Sequence, residues 1–215
     1  MNVSAKRQQL QTTLTMAPVV AVVVVESAQD AVPLARALVS GGIKAIEITL
    51  RTPAALDAIR AVAGEVEGAI AGAGTLLSPR DLQAAEKAGA RFGVSPGATP
   101  ALLDAAEDSA LPYLPGAATA SEAMQLFERG YTFQKFFPAT AAGGPELLRS
   151  LAGPLPAIRF CPTGGISLVS AGDWLSLPNV ICVGGSWLSA PDLVRAGNWA
   201  QIEKLAHEAA GLRTL

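Results

Sequence analysis

Side chains of the kinds that build most catalytic and metal sites are scarce in this 215-residue chain, which has one histidine, two cysteines, 16% charged residues and 5% aromatics. One imidazole and two thiols far apart in sequence do not readily assemble a zinc site. Both thiols, Cys161 and Cys182, sit in apolar strand-like runs, which favours buried cysteines in reducing surroundings over a disulfide. A formal net charge of −2 supplies no basic footprint for nucleic acid and no polybasic anchor for a membrane. The longest apolar stretch, Met16 to Val25, has about half of the ~20 residues that a membrane span requires. The segment around Lys6 and Arg7 has no secretory hydrophobic region, so a cytoplasmic location is expected.

What the chain has in quantity is small aliphatic residues. Half of it, 50%, is hydrophobic, a balance that suits parallel α/β structures whose strands are buried on both faces. Strands are predicted at 18–25, 43–50, 69–75, 91–95, 111–115, 132–137, 158–163 and 180–184. Helices are predicted near 28–41, 53–63, 79–89, 99–109, 119–129, 145–152, 167–176 and 198–211, with an extra one near 4–15. Ser78 before Pro79, Thr99 before Pro100, and Thr119 and Ser121 near Glu122 read as helix starts. Gly41, Gly89 and Gly130 read as helix ends. Eight strand–helix units in this length point to a single (β/α)8 barrel domain over 1–215, preceded by the extra helix. An open doubly wound sheet is the alternative, but the end of strand one, Val22 to Ser27, has no glycine for a dinucleotide turn.

Barrel enzymes carry their chemistry at the carboxyl ends of the strands. Lys135 lies in Thr132–Pro138, a run that otherwise reads as a buried strand. Such surroundings disfavour an ammonium, and a neutral amine is what a Schiff-base nucleophile needs. The structural alternative is a lysine that snorkels out at a strand end, its stem covering the phenylalanines. In strand two, alternation puts Ala45, Glu47 and Thr49 on one face and Ile46, Ile48 and Leu50 on the other, so Glu47 turns into the barrel. A lone carboxylate there is costly unless it is protonated or pairs with a cation, and Lys135 is the natural partner, in a structural ion pair or in acid/base catalysis. Strand six repeats the pattern, with Phe133, Lys135 and Phe137 together and Gln134 and Phe136 opposite. Strands three and four end in Gly72–Thr75 and Ser95–Gly97, each by itself an ordinary loop. The last two strands lead into Gly164-Gly165 and Gly184-Gly185-Ser186, which suit backbone amides aimed at a phosphate, with a short helix over 186–191 completing the site. Tight turns that need glycine are the plainer explanation. Arg51, just past strand two, is placed equally well for a substrate carboxylate or a surface acid. His207 and the cluster Asp104, Glu107 and Asp108 read as solvated helix faces.

These motifs occur together in one family. Glu47-Ile-Thr-Leu-Arg51-Thr52, Gly72-Ala-Gly-Thr75, Ser95-Pro96-Gly97, Phe133-Gln-Lys135-Phe-Phe-Pro138, Cys161-Pro-Thr-Gly-Gly-Ile166 and Gly184-Gly-Ser-Trp187 resemble the 2-keto-3-deoxy-6-phosphogluconate (KDPG) aldolases, in order and over nearly the whole chain. The resemblance implies a class I, metal-free aldolase of the Entner–Doudoroff pathway that needs no cofactor. It implies a TIM barrel that assembles as a homotrimer, a phosphorylated keto-acid substrate and, in many members, cleavage of 4-hydroxy-2-oxoglutarate. By the same resemblance Lys135 is the Schiff-base lysine and Glu47 the general acid/base. Arg51 and Thr75 match pyruvate-carboxylate contacts, Pro96 and Phe137 pocket walls, and Thr163 a substrate contact. Gly164, Gly165, Gly185 and Ser186 match the phosphate cradle. Strand one departs from the pattern: some members carry an arginine where this chain has only Val22 to Val25. The similar phosphogalactonate aldolases lack the Thr-Gly-Gly-Ile and Gly-Gly-Ser-Trp pair, which favours the gluconate-type substrate.

Two rival readings stand beside the aldolase. A phosphate-binding barrel isomerase would use Glu47 as base and Lys135 as its electrostatic partner. A non-catalytic sensor of a sugar phosphate would have no use for a buried lysine–glutamate pair.

Overall fold

The computed structural model describes residues 3–212. Helix α1 (Val3–Leu14) precedes β1 (Val19–Val23), and strands and helices then alternate: α2 (Ala28–Ser40), β2 (Ala45–Thr49), α3 (Ala55–Glu65), β3 (Ile70–Gly74), α4 (Pro79–Lys87), β4 (Phe92–Val94) and α5 (Pro100–Asp108). The chain continues through β5 (Tyr113–Leu114), β6 (Gly116–Ala117), α6 (Ala120–Glu128), β7 (Phe133–Phe136), α7 (Gly144–Ala152), β8 (Arg159–Pro162), α8 (Ala171–Leu175), β9 (Val183–Gly185), α9 (Pro191–Arg195) and α10 (Trp199–Ala210). All strand pairs are parallel. One sheet runs β5-β4-β3-β2-β1-β9 and the other β6-β7-β8.

The two sheets are parts of one barrel. Strands β5 and β6 are halves of a single stave interrupted at Pro115, which has no N–H for the ladder but whose carbonyl accepts from the Lys135 amide at 2.8 Å. Isolated bridges from Phe160 to Val180 and from Thr163 to Gly184 close the circuit between β8 and β9. The expected eight staves are therefore present, with the fifth shifted from 111–115 to 113–117 by that proline. The eighth begins late because Val180 is held in a single bridge beside the Asn179 carbonyl, which accepts from Phe160 at 2.7 Å.

Period-two alternation sorts the side chains into two cores. Val19, Ala21, Val23, Ile46, Ile48, Ala71, Ala73 and Phe136 face the helices. Val20, Ala45, Phe92, Val94, Leu114, Phe133, Cys161 and Cys182 fill the lumen, together with Leu10 and Leu14 of α1. Helix α1 thus closes the floor of the barrel beneath a lumen packed with apolar side chains. Both cysteines are free thiols there. Hydrogen bonding with Cys161, followed by burial, holds the Cys182 thiol well above the ordinary thiol range.

The expected caps form: the side chains of Ser78, Thr99 and Thr119 accept from Asp81, Leu102 and Glu122 amides, and Thr119 with Glu122 makes a full capping box. Gly89 and Gly130 adopt positive φ past their helices, but Gly41 does not. Its reason is packing, since a Cβ there would come within 2.4 Å of the Ala206 methyl on α10. The predicted helix over 167–176 shortens to Ala171–Leu175 because Ser167 and Ser170 bond each other's amides and form a turn instead. The acidic cluster also departs from expectation. Asp104 and Glu107 are not merely solvated but both pair with Arg129, at 2.6 and 2.8 Å, and tie α5 to the end of α6. His207 is exposed, as expected.

Lys6 anchors the plug. Its Nζ donates to the carbonyls of Ala106, Glu107 and Ser109 at 3.0, 2.7 and 2.7 Å, which satisfies acceptors that the end of α5 leaves open. Lys6→Ala is expected to cost about 1–3 kcal/mol and to lower Tm by roughly 3–10 °C. A thermal melt unchanged from that of the parent would show that the anchor is dispensable.

Candidate active site

Glu47 enters from β2 and Lys135 from β7, 88 residues apart in sequence. Lys135 Nζ donates to Glu47 Oε1 at 3.1 Å, with the two side chains only 6% and 4% exposed. Phe137, one residue beyond β7, puts its ring centroid 5.3 Å from the same Nζ. Phe133, two residues earlier on the same face, belongs to the lumen core beneath. The lysine therefore does not snorkel to solvent. It is held sideways against a carboxylate, over an apolar floor.

The other candidate residues lie at the same rim by topology. Arg51 is exposed two residues past β2, and among the described residues it pairs with no acid, so the surface ion-pair alternative finds no partner. Thr75 follows β3 at φ 61, the one non-glycine residue with positive φ among those described. A β-branched residue there is strained, and such strain clusters where a ligand or reaction needs a fixed backbone. Pro96 is half-buried beyond β4, its carbonyl carbon 2.3 Å from where a Cβ of Gly116 would sit. Thr163 follows β8 and is buried, and its amide donates to the Phe136 carbonyl at 2.9 Å.

The paired-glycine loops lie where the sequence suggested. Gly164 and Gly165 have φ of 105 and 75, a conformation that favours glycine. The carbonyls of Thr163 and Gly164 accept from the amides of Ala139 and Thr140 at 2.8 and 3.1 Å, which locks this loop to the one after β7. The amides of Gly165, Ile166 and Ser186 find no acceptor among the described residues, so donors stand free at two adjacent strand ends. The short helix expected over 186–191 is a 3-10 turn at Trp187–Ser189 followed by α9. Strand one brings no cation: Val22 is in register with Glu47 and offers only methyl groups.

A cavity of about 400 Å³ opens at the floor of the barrel and is lined by Lys6, Leu10, Tyr113, Tyr131 and Phe133 among others. Its chemistry is poorer. The Lys6 donors all go to backbone carbonyls. Burial pushes the Tyr131 phenol up to about 12 and Tyr113 higher still, so both stay protonated. No group of three or more His, Cys, Asp or Glu residues able to hold a metal ion occurs among the described residues. No described helix is long and apolar enough to cross a membrane.

Parallel-barrel geometry with an amine beside a carboxylate at the carboxyl ends of the strands defines an enzyme equipped for imine chemistry on a carbonyl compound. Sequence comparison gives the family. The model described as "Aldolase: KDPG and KHG aldolase" matches residues 10–205, and the chain belongs to that family. The KHG/KDPG aldolase of Escherichia coli K12 is 50% identical over 196 residues, 91% of this chain and 92% of that one. The 2-dehydro-3-deoxy-phosphogluconate aldolase of Pseudomonas aeruginosa is 48% identical over 208 residues, 97% of this chain and 94% of the other. The crystal structure of KDPG aldolase from Legionella pneumophila, with pyruvate captured as a covalent carbinolamine, superposes with a TM-score of 0.91 at 41% identity, covering 94% of this chain and 98% of that one.

Three residues take packing or tying roles that the sequence reading did not give them. Gly74 and Gly184, read there as parts of strand-end loops, have no side chain where Glu47 and Thr163 cross them, a Cβ at either position coming within 2.2 Å of Glu47 Oε1 or Thr163 Oγ1. Thr49 Oγ1 donates to the Val23 carbonyl at 3.1 Å and ties strand one to strand two at the rim. A buried pair of this kind makes a clear stability prediction. Lys135→Met strands the Glu47 carboxylate and is expected to cost about 3–5 kcal/mol, while Lys135→Met with Glu47→Met recovers most of that loss. Equal urea midpoints for the single and double variants would count against the pairing.

Proposed function

We propose that this protein is a class I aldolase that cleaves 2-dehydro-3-deoxy-6-phospho-D-gluconate to pyruvate and D-glyceraldehyde 3-phosphate. The observation that carries the reading is the buried contact of Lys135 Nζ with Glu47 Oε1 at 3.1 Å, in a chain of the KDPG and KHG aldolase family. Lys135, as the neutral amine, attacks the C2 ketone. Loss of water from the carbinolamine gives an iminium whose positive charge accepts the electron pair of the C3–C4 bond. Glu47 removes the C4 hydroxyl proton as that bond breaks, and the aldehyde leaves. The enamine that remains takes a proton at C3, and water hydrolyses the imine to free pyruvate and Lys135.

The remaining rim residues take roles in this scheme. Arg51 and Thr75 hold the keto-acid carboxylate, the unpaired guanidinium being free to bind it through two parallel bonds. Pro96 and Phe137 wall the pyruvyl group, and Thr163 contacts the substrate. Gly164, Gly165, Gly185 and Ser186 cradle the phosphate, a role supported by the unpaired Gly165 and Ser186 amides. Binding at that remote end fixes the position of C2 over the amine. The reaction as written draws on no cofactor. The E. coli relative is named for both substrates, so 4-hydroxy-2-oxoglutarate is the second substrate of this reading. The reading also includes one barrel domain over 1–215, a cytoplasmic location and a homotrimeric assembly, the last of which sedimentation would check.

Borohydride added with pyruvate is expected to inactivate the protein and leave an adduct of roughly 70 Da on Lys135. No adduct would overturn the imine mechanism, and activity surviving the treatment would favour an isomerase. Glu47→Gln is expected to lower kcat by about 10²–10⁴-fold while sparing the adduct more than turnover. Arg51→Lys, which keeps charge but loses the planar fork, is expected to raise KM for the keto acid more than it lowers kcat. Steady-state assays on both substrates read these effects.

A further inference from the structure

The inner face of β3 is bare. Ala71 and Ala73 pack outward among the helix-facing core, so the alternate positions, Gly72 and Gly74, face the lumen. Neighbours lean across both glycines. The Phe92 ring from β4 covers Gly72, where a Cβ would meet it at 2.3 Å. Glu47 from β2 covers Gly74, where a Cβ would fall 2.2 Å from Oε1, 2.6 Å from Cγ and 2.8 Å from Cδ. In register Glu47 lies opposite Gly72 and Thr49 opposite Gly74, so the glutamate slants toward the barrel mouth to occupy this space. The oxygen that fills it, Oε1, is the one that accepts from Lys135.

Gly74 does not have a left-handed backbone, so conformation alone does not require glycine there. The Glu47 side chain does. Because clashes reach back to Cγ, turning the carboxylate in place would not relieve them. The whole side chain would have to rotate, and the only hydrogen bond that holds it among the described residues is the one from Lys135.

We infer that Gly74 is a positioning residue for the aldol cleavage: its missing side chain is the slot that aims Glu47 at Lys135 and at the hydroxyl to be deprotonated. The kinetic part of this inference rests on the aldolase reading, whereas the steric part does not. Gly74→Ala is expected to fold and to lower kcat by about 10²-fold, with pyruvate and borohydride still labelling Lys135. Glu47→Ala removes every atom that the methyl would meet, whereas Glu47→Asp would leave a Cγ in its way. Adding Gly74→Ala to Glu47→Ala is therefore expected to cost less than about 3-fold of the residual kcat, a strongly non-additive pair.

Thermal unfolding supplies a readout independent of turnover. Gly74→Ala is expected to lower Tm by roughly 5 °C in the parent and to leave Tm unchanged in Glu47→Ala, where the methyl occupies vacated space. Parental kcat in Gly74→Ala, or equal losses of kcat or Tm in both backgrounds, would overturn the inference. Should Gly74→Ala fail to fold alone, folding of the Glu47→Ala/Gly74→Ala protein supports the slot, and its failure as well sinks it. A wrong aldolase reading would show instead as a parent without the pyruvate adduct, and the Tm comparison would still decide the role of Gly74.

Discussion

One ion pair set across the mouth of a greasy barrel constrains the rest of this molecule. Charges taken out of water are costly, and their mutual attraction offsets that cost only where geometry is good. Glu47 and Lys135 meet this condition from opposite parts of the circuit, β2 in one sheet and β7 in the other. Their contact therefore depends on closure of the barrel. The break at Pro115 and the bridges from β8 to β9 are the two joints that set how far apart the partners stand. An error of an ångström at either joint would pull a 3.1 Å hydrogen bond out of range.

The lumen is graded along its axis. Leu10, Leu14, Phe92, Phe133 and the two cysteines fill its lower part, while Glu47, Lys135 and Thr163 occupy the upper part. The apolar side chains of the lower lumen offer the polar layer no hydrogen-bonding partner. The carboxylate and amine consequently have each other, and little else, until a ligand enters from above. The amides of Gly165, Ile166 and Ser186, without acceptors among the described residues, lie just beyond β8 and β9, the two strands that follow the lysine strand around the circuit. A ligand with an anion at one end and a ketone at the other would thus be fixed at both ends, which is the kind of orientation that converts binding into rate.

Much of this was legible in the sequence, because period-two alternation is a strict geometric rule. The branched face of Ile46 and Ile48 had to meet helices, which turned Glu47 inward, and Lys135 was the natural cation to set beside it. Capping residues Ser78, Thr99 and Thr119 were readable for a similar reason, since their hydrogen bonds are local. What was not legible depended on partners distant in sequence. Gly41 reads as a helix stop and is in fact a close approach to α10. Asp104 and Glu107 read as solvated until Arg129 is brought beside them. Gly74 shows nothing in its own segment, because the space it leaves is used by a residue on another strand. The position of Arg51 was readable, but its lack of an acid partner among the described residues was not.

Two buried lysines in one chain are held in different ways. An ammonium has three donors. Lys6 directs them to three backbone carbonyls at 2.7–3.0 Å, so loss of its proton would leave at least one acceptor unsatisfied. Lys135 has one hydrogen-bond partner among the described residues and an aromatic face at 5.3 Å. That partner is a carboxylate, so among the described residues two donors of this ammonium have no protein acceptor. Burial is common to both side chains and does not distinguish them. The number and kind of acceptors do: three carbonyls hold the amine at the floor of the barrel, and a single carboxylate holds the one at its mouth.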